Sequence, residues 1–111
     1  MVENKRLLKK KRKETTMNNE PTYIDIFGSK TWLNSEGLIH RDGDLPAVIH
    51  PKGHCEWWRN GELYRNHNLP AVIWSNGLCH WYQNGDFIKA KQCTPEEIEQ
   101  YKKPYGGKQN E

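Results

Sequence analysis

The sequence predicts a mainly β protein, namely an antiparallel β-meander of tandem 24-residue hairpin repeats with a short C-terminal capping helix and a disordered basic N-terminal arm. Three observations support this fold class. Residues 37–60 align with residues 61–84 without a gap and are identical at eleven of the 24 positions. Each copy ends in Asn and is followed by Gly, the dipeptide preferred in type I′ hairpin turns. Each copy also contains a β-branched run between turn residues, which is typical of a short strand.

The N-terminal arm, residues 1–20, is polar and has no hydrophobic periodicity. Such a segment buries too little apolar surface to fold alone, so we expect it to be disordered. Residues 1–13 contain seven Lys or Arg and one Glu, whereas residues 14–111 contain ten Lys or Arg and thirteen Asp or Glu. The positive charge is therefore confined to the arm, where its densest run is Lys9, Lys10, Lys11, Arg12 and Lys13.

This basic run admits three interpretations. It matches a monopartite nuclear-localisation pattern, which would direct the protein to the nucleus if the host cell is eukaryotic. It is equally suited to contact with nucleic acid through residues 5–13. The third interpretation is that the run only keeps the chain soluble. The sequence leaves all three open.

The β-repeat domain spans residues 21–90, and its even period sorts the aromatic side chains between two sheet faces. Trp57 and Trp81 fall on one face, and Trp58 and Tyr82 fall on the other. A single-layer sheet cannot bury both faces, so one pair should stay partly exposed unless a partner covers it. The sequence therefore predicts a non-enzymatic module that binds a protein partner through an exposed aromatic face.

The candidate contact residues for such a partner are Trp58, Tyr82 and Tyr64, although the sequence does not decide which face is exposed. Two further candidates, Arg41 and Arg65, occupy equivalent positions in the two copies. These arginines either contact an acidic partner or have a structural role, in which they stack on the aromatic residues or pair with a carboxylate. The alternative function is a nucleic-acid-associated or nuclear-targeted protein that acts through its basic arm.

The sequence predicts no catalytic residue, no cofactor and no metal ligand. Asp42 and Asp44 are matched by Asn66 and Asn68 in the second copy, so we expect both pairs to shape the turn through side-chain hydrogen bonds to the local backbone. The matched cysteines, Cys55 and Cys79, should lie about 10–14 Å apart across two or three strands. That separation is too large for a disulfide or a shared zinc ion, so we expect both to be small buried apolar residues.

A C-terminal helix is predicted over residues 91–103, followed by a flexible tail over residues 104–111. Thr94 is the expected N-cap, Pro95 suits the first helical position, and Glu97 completes a capping box. We expect this helix to cover the open end of the sheet. No apolar run approaches the length of a membrane span. The odd number of cysteines and the absence of a secretory signal favour an intracellular, reducing setting.

The hairpin repeats resemble MORN repeats in their short period and in a Trp followed by Asn-Gly. Trp58 stands three residues before Gly61, although His54 and Glu56 replace the Tyr and Gly of the usual Tyr-x-Gly-x-Trp run, and Tyr64-Arg65 replaces a His-Gly pair. The chain is identified as a divergent, MORN-like repeat protein of the kind common in large DNA viruses and some bacteria. Over residues 21–90, the resemblance implies a single-layer or weakly curved β-meander with a non-catalytic role in protein or lipid contact. It implies no site residue.

Overall fold

The computed structural model describes residues 20–105, which form nine β-strands and one α-helix. The predicted disorder of the arm, its basic run and the end of the predicted tail lie outside the described residues. The elements are β1 Tyr23–Ile24, β2 Lys30–Thr31, β3 Val48–Ile49, β4 Cys55–Glu56, β5 Trp58–Arg59, β6 Glu62–Leu63, β7 Val72–Ile73, β8 Leu78–Gln83, β9 Asp86–Gln92 and α1 Pro95–Lys102.

Within residues 20–105, seven strands form one antiparallel sheet in the order β1-β2-β3-β4-β7-β8-β9. The predicted meander is therefore confirmed. One hairpin leaves it, because β5 pairs only with β6, and β4 continues directly to β7. The strand changes its pairing partner at Trp57. The N–H of Trp57 donates to Ala71 O at 2.7 Å, beside the main sheet, whereas its carbonyl accepts from Tyr64 N at 3.1 Å, beside the separate hairpin.

Both Asn-Gly dipeptides form the turns that the sequence predicts. Asn60-Gly61 joins β5 to β6, and Asn84-Gly85 joins β8 to β9. The two asparagines have φ angles of 49° and 51°, and the glycines that follow also have positive φ. Positive φ at both central residues is the requirement of a type I′ turn, and Asn and Gly meet it at low cost.

The two complete copies make the same backbone hydrogen bonds at several matching positions. In each copy, the N–H of the matched Ala donates to a carbonyl of the next strand. A second backbone bond closes the following turn, between residues four positions apart. The matched bonds are Ala47 N to Glu56 O at 2.7 Å with Ala71 N to His80 O at 2.9 Å, and His50 N to His54 O with Trp74 N to Leu78 O, both at 2.9 Å.

The core lies on the sheet face that carries Trp57 and Trp81, which are 2% and 5% exposed. Helix α1 lies against this face, with Tyr101 edge-on to Trp81 at 6.0 Å and with Ile98 packed on the same cluster. The helix thus covers a face, whereas the sequence led us to expect it at the open end of the sheet. Its apolar side chains explain this position, because they complete the burial of the tryptophans.

The helix begins as the sequence predicts. Thr94 Oγ1 accepts from Glu97 N at 3.1 Å, Glu97 Oε1 accepts from Thr94 N at 2.9 Å, and Pro95 is the first helical residue. The helix is shorter than the predicted 91–103, because residues 91 and 92 extend β9. Lys102 Nζ donates to Gly53 O at 3.1 Å and so joins the helix to a turn of the first copy. Nothing between residues 20 and 105 forms a helix with the length and apolarity needed to cross a bilayer.

Candidate functional site

An open cleft of about 390 Å³ lies between two matching loops, residues 40–44 and 64–67. Its walls also include Trp57, with Trp58 and Arg59 of β5, and Tyr105, which follows helix α1. The cleft therefore lies at the junction of the two copies. It is assembled from residues that are far apart in the sequence.

The indole of a buried tryptophan holds the loop of each copy in place. Trp57 Nε1 donates to Asp44 O at 3.2 Å, and Trp81 Nε1 donates to Asn68 O at 2.9 Å. Both acceptor residues have positive φ, 56° for Asp44 and 58° for Asn68, a conformation that Asn and Asp tolerate better than other side chains. The loop backbone is thereby fixed to the core on one side of the cleft.

A cation stacks on a buried indole at three positions spaced 24 residues apart. The contacts are Arg41 Cζ at 3.8 Å from the Trp32 ring centroid, Arg65 Cζ at 3.9 Å from Trp57 and Lys89 Nζ at 4.8 Å from Trp81. Each arginine also donates through Nη1 to the proline carbonyl of its own copy, at 3.1 Å for Pro46 and 3.2 Å for Pro70. Of the two roles that the sequence left open for these arginines, the geometry matches the structural one.

Arg65 was predicted as a contact for a partner, but its side chain is fully buried. Its Nε donates to Asp44 Oδ1 at 2.9 Å and its Nη2 to Asp44 Oδ2 at 3.2 Å, while Nη2 also donates to Lys103 O at 3.1 Å. Burial lowers the pKa of Arg65, and the hydrogen bond and charge of Asp44 oppose that effect. These bonds occupy the guanidinium, so Arg65 supports the cleft from beneath and is not an accessible contact.

Asp44 has a wider role than the turn-shaping hydrogen bond that we expected. Its carboxylate binds Arg65 of the second copy and also accepts from Tyr105 N at 2.6 Å. The Tyr105 ring stacks on His67 at 3.5 Å between centroids. Asp42 instead pairs with His40 Nε2 at 2.8 Å. The carboxylate of Asp44 therefore ties both copies and the C-terminal segment together.

The remaining predicted contacts in the cleft are accessible. Trp58, Tyr64 and Arg41 are half-buried, and the exposed Arg59 places its Cζ 4.6 Å from the Tyr64 ring centroid. Burial lowers the pKa of Arg41 to about 10, so its guanidinium stays protonated at neutral pH. Tyr64 is oriented by a hydrogen bond from its hydroxyl to Asn66 Oδ1.

Four of the five predicted contact residues thus line one cleft, and the fifth, Tyr82, lies outside it.

Tyr82 belongs to a row of aromatic rings on the opposite face from Trp81, here called the ring row. Trp74 and Phe87 are its most exposed members, at 43% and 55%. The neighbouring ring centroids are 4.7 Å apart for His50–His54, 4.3 Å for His54–Trp74, 6.1 Å for Trp74–His80, 5.5 Å for His80–Phe87 and 5.6 Å for Phe87–Tyr82.

One end of the ring row contains a polar cluster that the sequence analysis did not single out. His50, His54 and Glu56 each place one nitrogen or oxygen atom within 4.8 Å of the other two. The signal was present in the sequence, because the two histidines flank the predicted turn at Pro51-Lys52-Gly53. Glu56 follows two residues later on the same strand face.

The cysteines are all free and buried. Burial raises the pKa of Cys55, and it raises the pKa of Cys79 to about 12, with a further contribution from a hydrogen bond with Cys93. All three belong to the core cluster around the tryptophans. Their position agrees with the expectation that Cys55 and Cys79 behave as small apolar residues.

Comparison of the chain with protein-family models, with curated proteins and with solved structures found no match. The MORN-like resemblance of residues 21–90 therefore stays a prediction. The case for function depends on the geometry of the cleft and the ring row.

Proposed function

We propose that the chain is a non-enzymatic β-repeat module that binds a protein partner in the cleft between its two copies. The observation that carries the proposal is the grouping of Trp58 and Tyr64 with Arg41 and Arg59 around an open volume of about 390 Å³. Tryptophan, tyrosine and arginine are the residue types that contribute most to binding energy at protein interfaces. Here they come from both copies, so the complete surface requires the folded repeat.

The cleft is also pre-organised. The loop at residues 40–44 is fixed by the Trp57 indole and by the bidentate contact between Asp44 and the buried Arg65. A site that is already rigid loses less conformational entropy when a partner binds. This rigidity supports binding by a preformed surface.

The charges around the cleft favour an acidic partner. Asp44 is neutralised by Arg65, and Asp42 is hydrogen-bonded to His40. Within residues 20–105, no carboxylate lies within ion-pair distance of the exposed Arg59. We therefore propose an extended peptide segment that carries an Asp or Glu near Arg59 and an apolar side chain on Trp58 and Tyr64.

A peptide library displayed on phage and selected against the full chain tests this function. We expect the enriched sequences to be acidic, and we expect Trp58→Ala and Tyr64→Ala to weaken the best peptide at least ~10-fold, as for interface hot spots. Tyr82→Ala is the matched control, because Tyr82 occupies the same repeat position as Trp58 but lies outside the cleft. Enrichment of peptides without acidic residues, or equal losses in Trp58→Ala and Tyr82→Ala, would contradict the proposal.

The charge asymmetry of the sequence supports a second candidate function. The basic run Lys9, Lys10, Lys11, Arg12 and Lys13 is set against an acidic excess in the rest of the chain. We propose that this run binds nucleic acid or an import receptor. Replacing all five residues by Gln in the full chain should abolish RNA and DNA binding and flatten its salt dependence, or abolish nuclear accumulation in a eukaryotic cell. If neither measurement changes, this candidate is wrong.

A further inference from the structure

The polar cluster at one end of the ring row is built around a hairpin turn. His50 and His54 face each other across the turn, with His50 N donating to His54 O at 2.9 Å and ring centroids 4.7 Å apart. Glu56 lies two residues further along β4, and its Oε2 is 2.7 Å from His54 Nε2. We infer that His50, His54 and Glu56 form a binding site for a divalent transition-metal ion.

Two neighbouring side chains hold the proposed ligands in place. Ser29 Oγ is 2.5 Å from His50 Nδ1, and Trp58 Nε1 donates to Glu56 Oε1 at 2.7 Å. Metal-binding histidines and carboxylates characteristically use their second polar atom in this way, since the extra hydrogen bond fixes the orientation of the ligand. These bonds use His50 Nδ1 and Glu56 Oε1, whereas Glu56 Oε2 lies 2.7 Å from His54 Nε2.

His54 supplies an independent observation. The residue is 8% exposed, and its Nδ1 atom is buried without a hydrogen-bond partner in the described part of the chain. A buried polar atom without a partner is costly, and native structures rarely leave one unsatisfied. A cation coordinated by His54 Nδ1 would give this atom its partner, and its charge would balance the Glu56 carboxylate, whose Oε2 lies 2.7 Å from His54 Nε2.

The repeat shows that the turn itself does not require these residues. The same turn bond joins Gly53 N to His50 O at 3.0 Å and Gly77 N to Trp74 O at 2.9 Å. In the second copy, Trp74 and Leu78 stand in the places of His50 and His54. The two imidazoles are therefore a property of one copy, and the turn does not require them.

The ligand set selects the class of metal. Two imidazoles and one carboxylate suit zinc and its neighbours in the first transition series, whereas magnesium and calcium prefer oxygen ligands. Ligand atoms around a tetrahedral zinc ion lie about 3.4 Å apart, given bonds of about 2.1 Å. A separation of 4.8 Å, the upper bound for the three atoms, would have to contract by about 1.4 Å on binding. Three protein ligands also leave a fourth position open.

The test is calorimetric titration of untagged, full-length protein with Zn²⁺, together with the visible spectrum of its Co²⁺ complex. We expect one ion per chain and a cobalt spectrum without thiolate charge transfer. His54→Leu copies the residue of the second repeat, and Glu56→Gln preserves the shape of the side chain. Each should weaken zinc binding at least ~10-fold, and Ser29→Ala should weaken it by about 10-fold.

His80→Leu is the matched control, because His80 belongs to the ring row but not to the cluster. It should bind zinc within about twofold of the wild type, as expected for a residue that is not a ligand. Circular dichroism confirms that each variant is folded before titration. The inference is overturned by an absence of binding, by equal affinity in wild type, His54→Leu and Glu56→Gln, or by a thiolate band that assigns the metal to the cysteines.

Discussion

The two complete copies of the repeat, residues 37–60 and 61–84, form matching backbone hydrogen bonds with partly different residues. Where they are identical, as at Trp57 and Trp81, the side chains make the same hydrogen bond to the carbonyl of the same repeat position. Where they differ, as at His50 and Trp74, the backbone bonds persist and only the chemistry of the surface changes. Identity between copies thus marks what the fold requires, and difference marks where function can reside.

The comparison also reveals a difference between two identical residues. Arg41 and Arg65 stack on equivalent indoles, but Arg41 is half-buried, whereas Arg65 is fully buried against the Asp44 carboxylate. Its partner, Asp44, is matched by Asn68, which is neutral. The Asp44–Arg65 pair therefore fixes the first copy to the second. A repeat of identical units would lack this specific junction.

The largest expected effect comes from removing this junction. Arg65→Met should lower the free energy of unfolding by about 3–5 kcal/mol, because it leaves the Asp44 carboxylate partly buried without its cation. Arg41→Met should cost less, about 1–2 kcal/mol, because Arg41 is only half-buried where it stacks on Trp32. Urea unfolding of both variants measures the difference. Equal losses would show that the two arginines are equivalent.

A smaller difference in the loss of stability is expected when alanine replaces each of two matched turn glycines with positive φ. A Cβ at Gly77 would lie 2.7 Å from Gln92 Nε2 and 3.3 Å from Cys93 O, whereas a Cβ at Gly53 meets only Lys102 Nζ at 3.7 Å. Gly53→Ala should cost about 1–3 kcal/mol of backbone strain. Gly77→Ala should cost about 1 kcal/mol more, since the Cys93 carbonyl belongs to the backbone and cannot move away freely. Thermal unfolding tests the order, and a larger loss in Gly53→Ala would refute it.

The matched cysteines should differ in reactivity rather than in stability. Alkylation requires the thiolate, and the pKa of Cys79 is raised to about 12 by burial and by Cys93. The pKa of Cys55 is also raised by burial, but Lys102 and Arg65 oppose the shift. In native protein at pH 8, we expect Cys55 to be alkylated before Cys79. Mass spectrometry of a timed iodoacetamide reaction gives the order, and faster modification of Cys79 would be the contrary result.

Much of the fold follows from local sequence signals. The Asn60-Gly61 and Asn84-Gly85 turns, the capping box at Thr94 and the burial of Trp57 with Trp81 are each determined by a few neighbouring residues or by the repeat period. The same period places Trp58 and Tyr82 together on the opposite face, but it left open which of the two faces is exposed. These features depend on contacts that the sequence pattern specifies directly.

The candidate site was less predictable because its contacts are non-local. Asp44 meets Arg65 and Tyr105 across 21 and 61 residues, and no local pattern indicates these pairings. The departure of β5 and β6 from the main sheet likewise depends on the direct pairing of β4 with β7. His50, His54 and Glu56 were predictable in principle from their spacing around a turn. The second copy has other residues at these three positions, and this difference from the first copy also marks the cluster.

The claim that differing positions are not required by the fold is tested most directly by placing residues of the second turn in the first. The double variant His50→Trp/His54→Leu replaces both imidazoles with the side chains at positions 74 and 78. If positions that differ between copies are not required by the fold, its free energy of unfolding in urea should stay within about 1 kcal/mol of the wild-type value. A loss of about 3 kcal/mol or more, as large as that expected for Arg65→Met, would contradict the account.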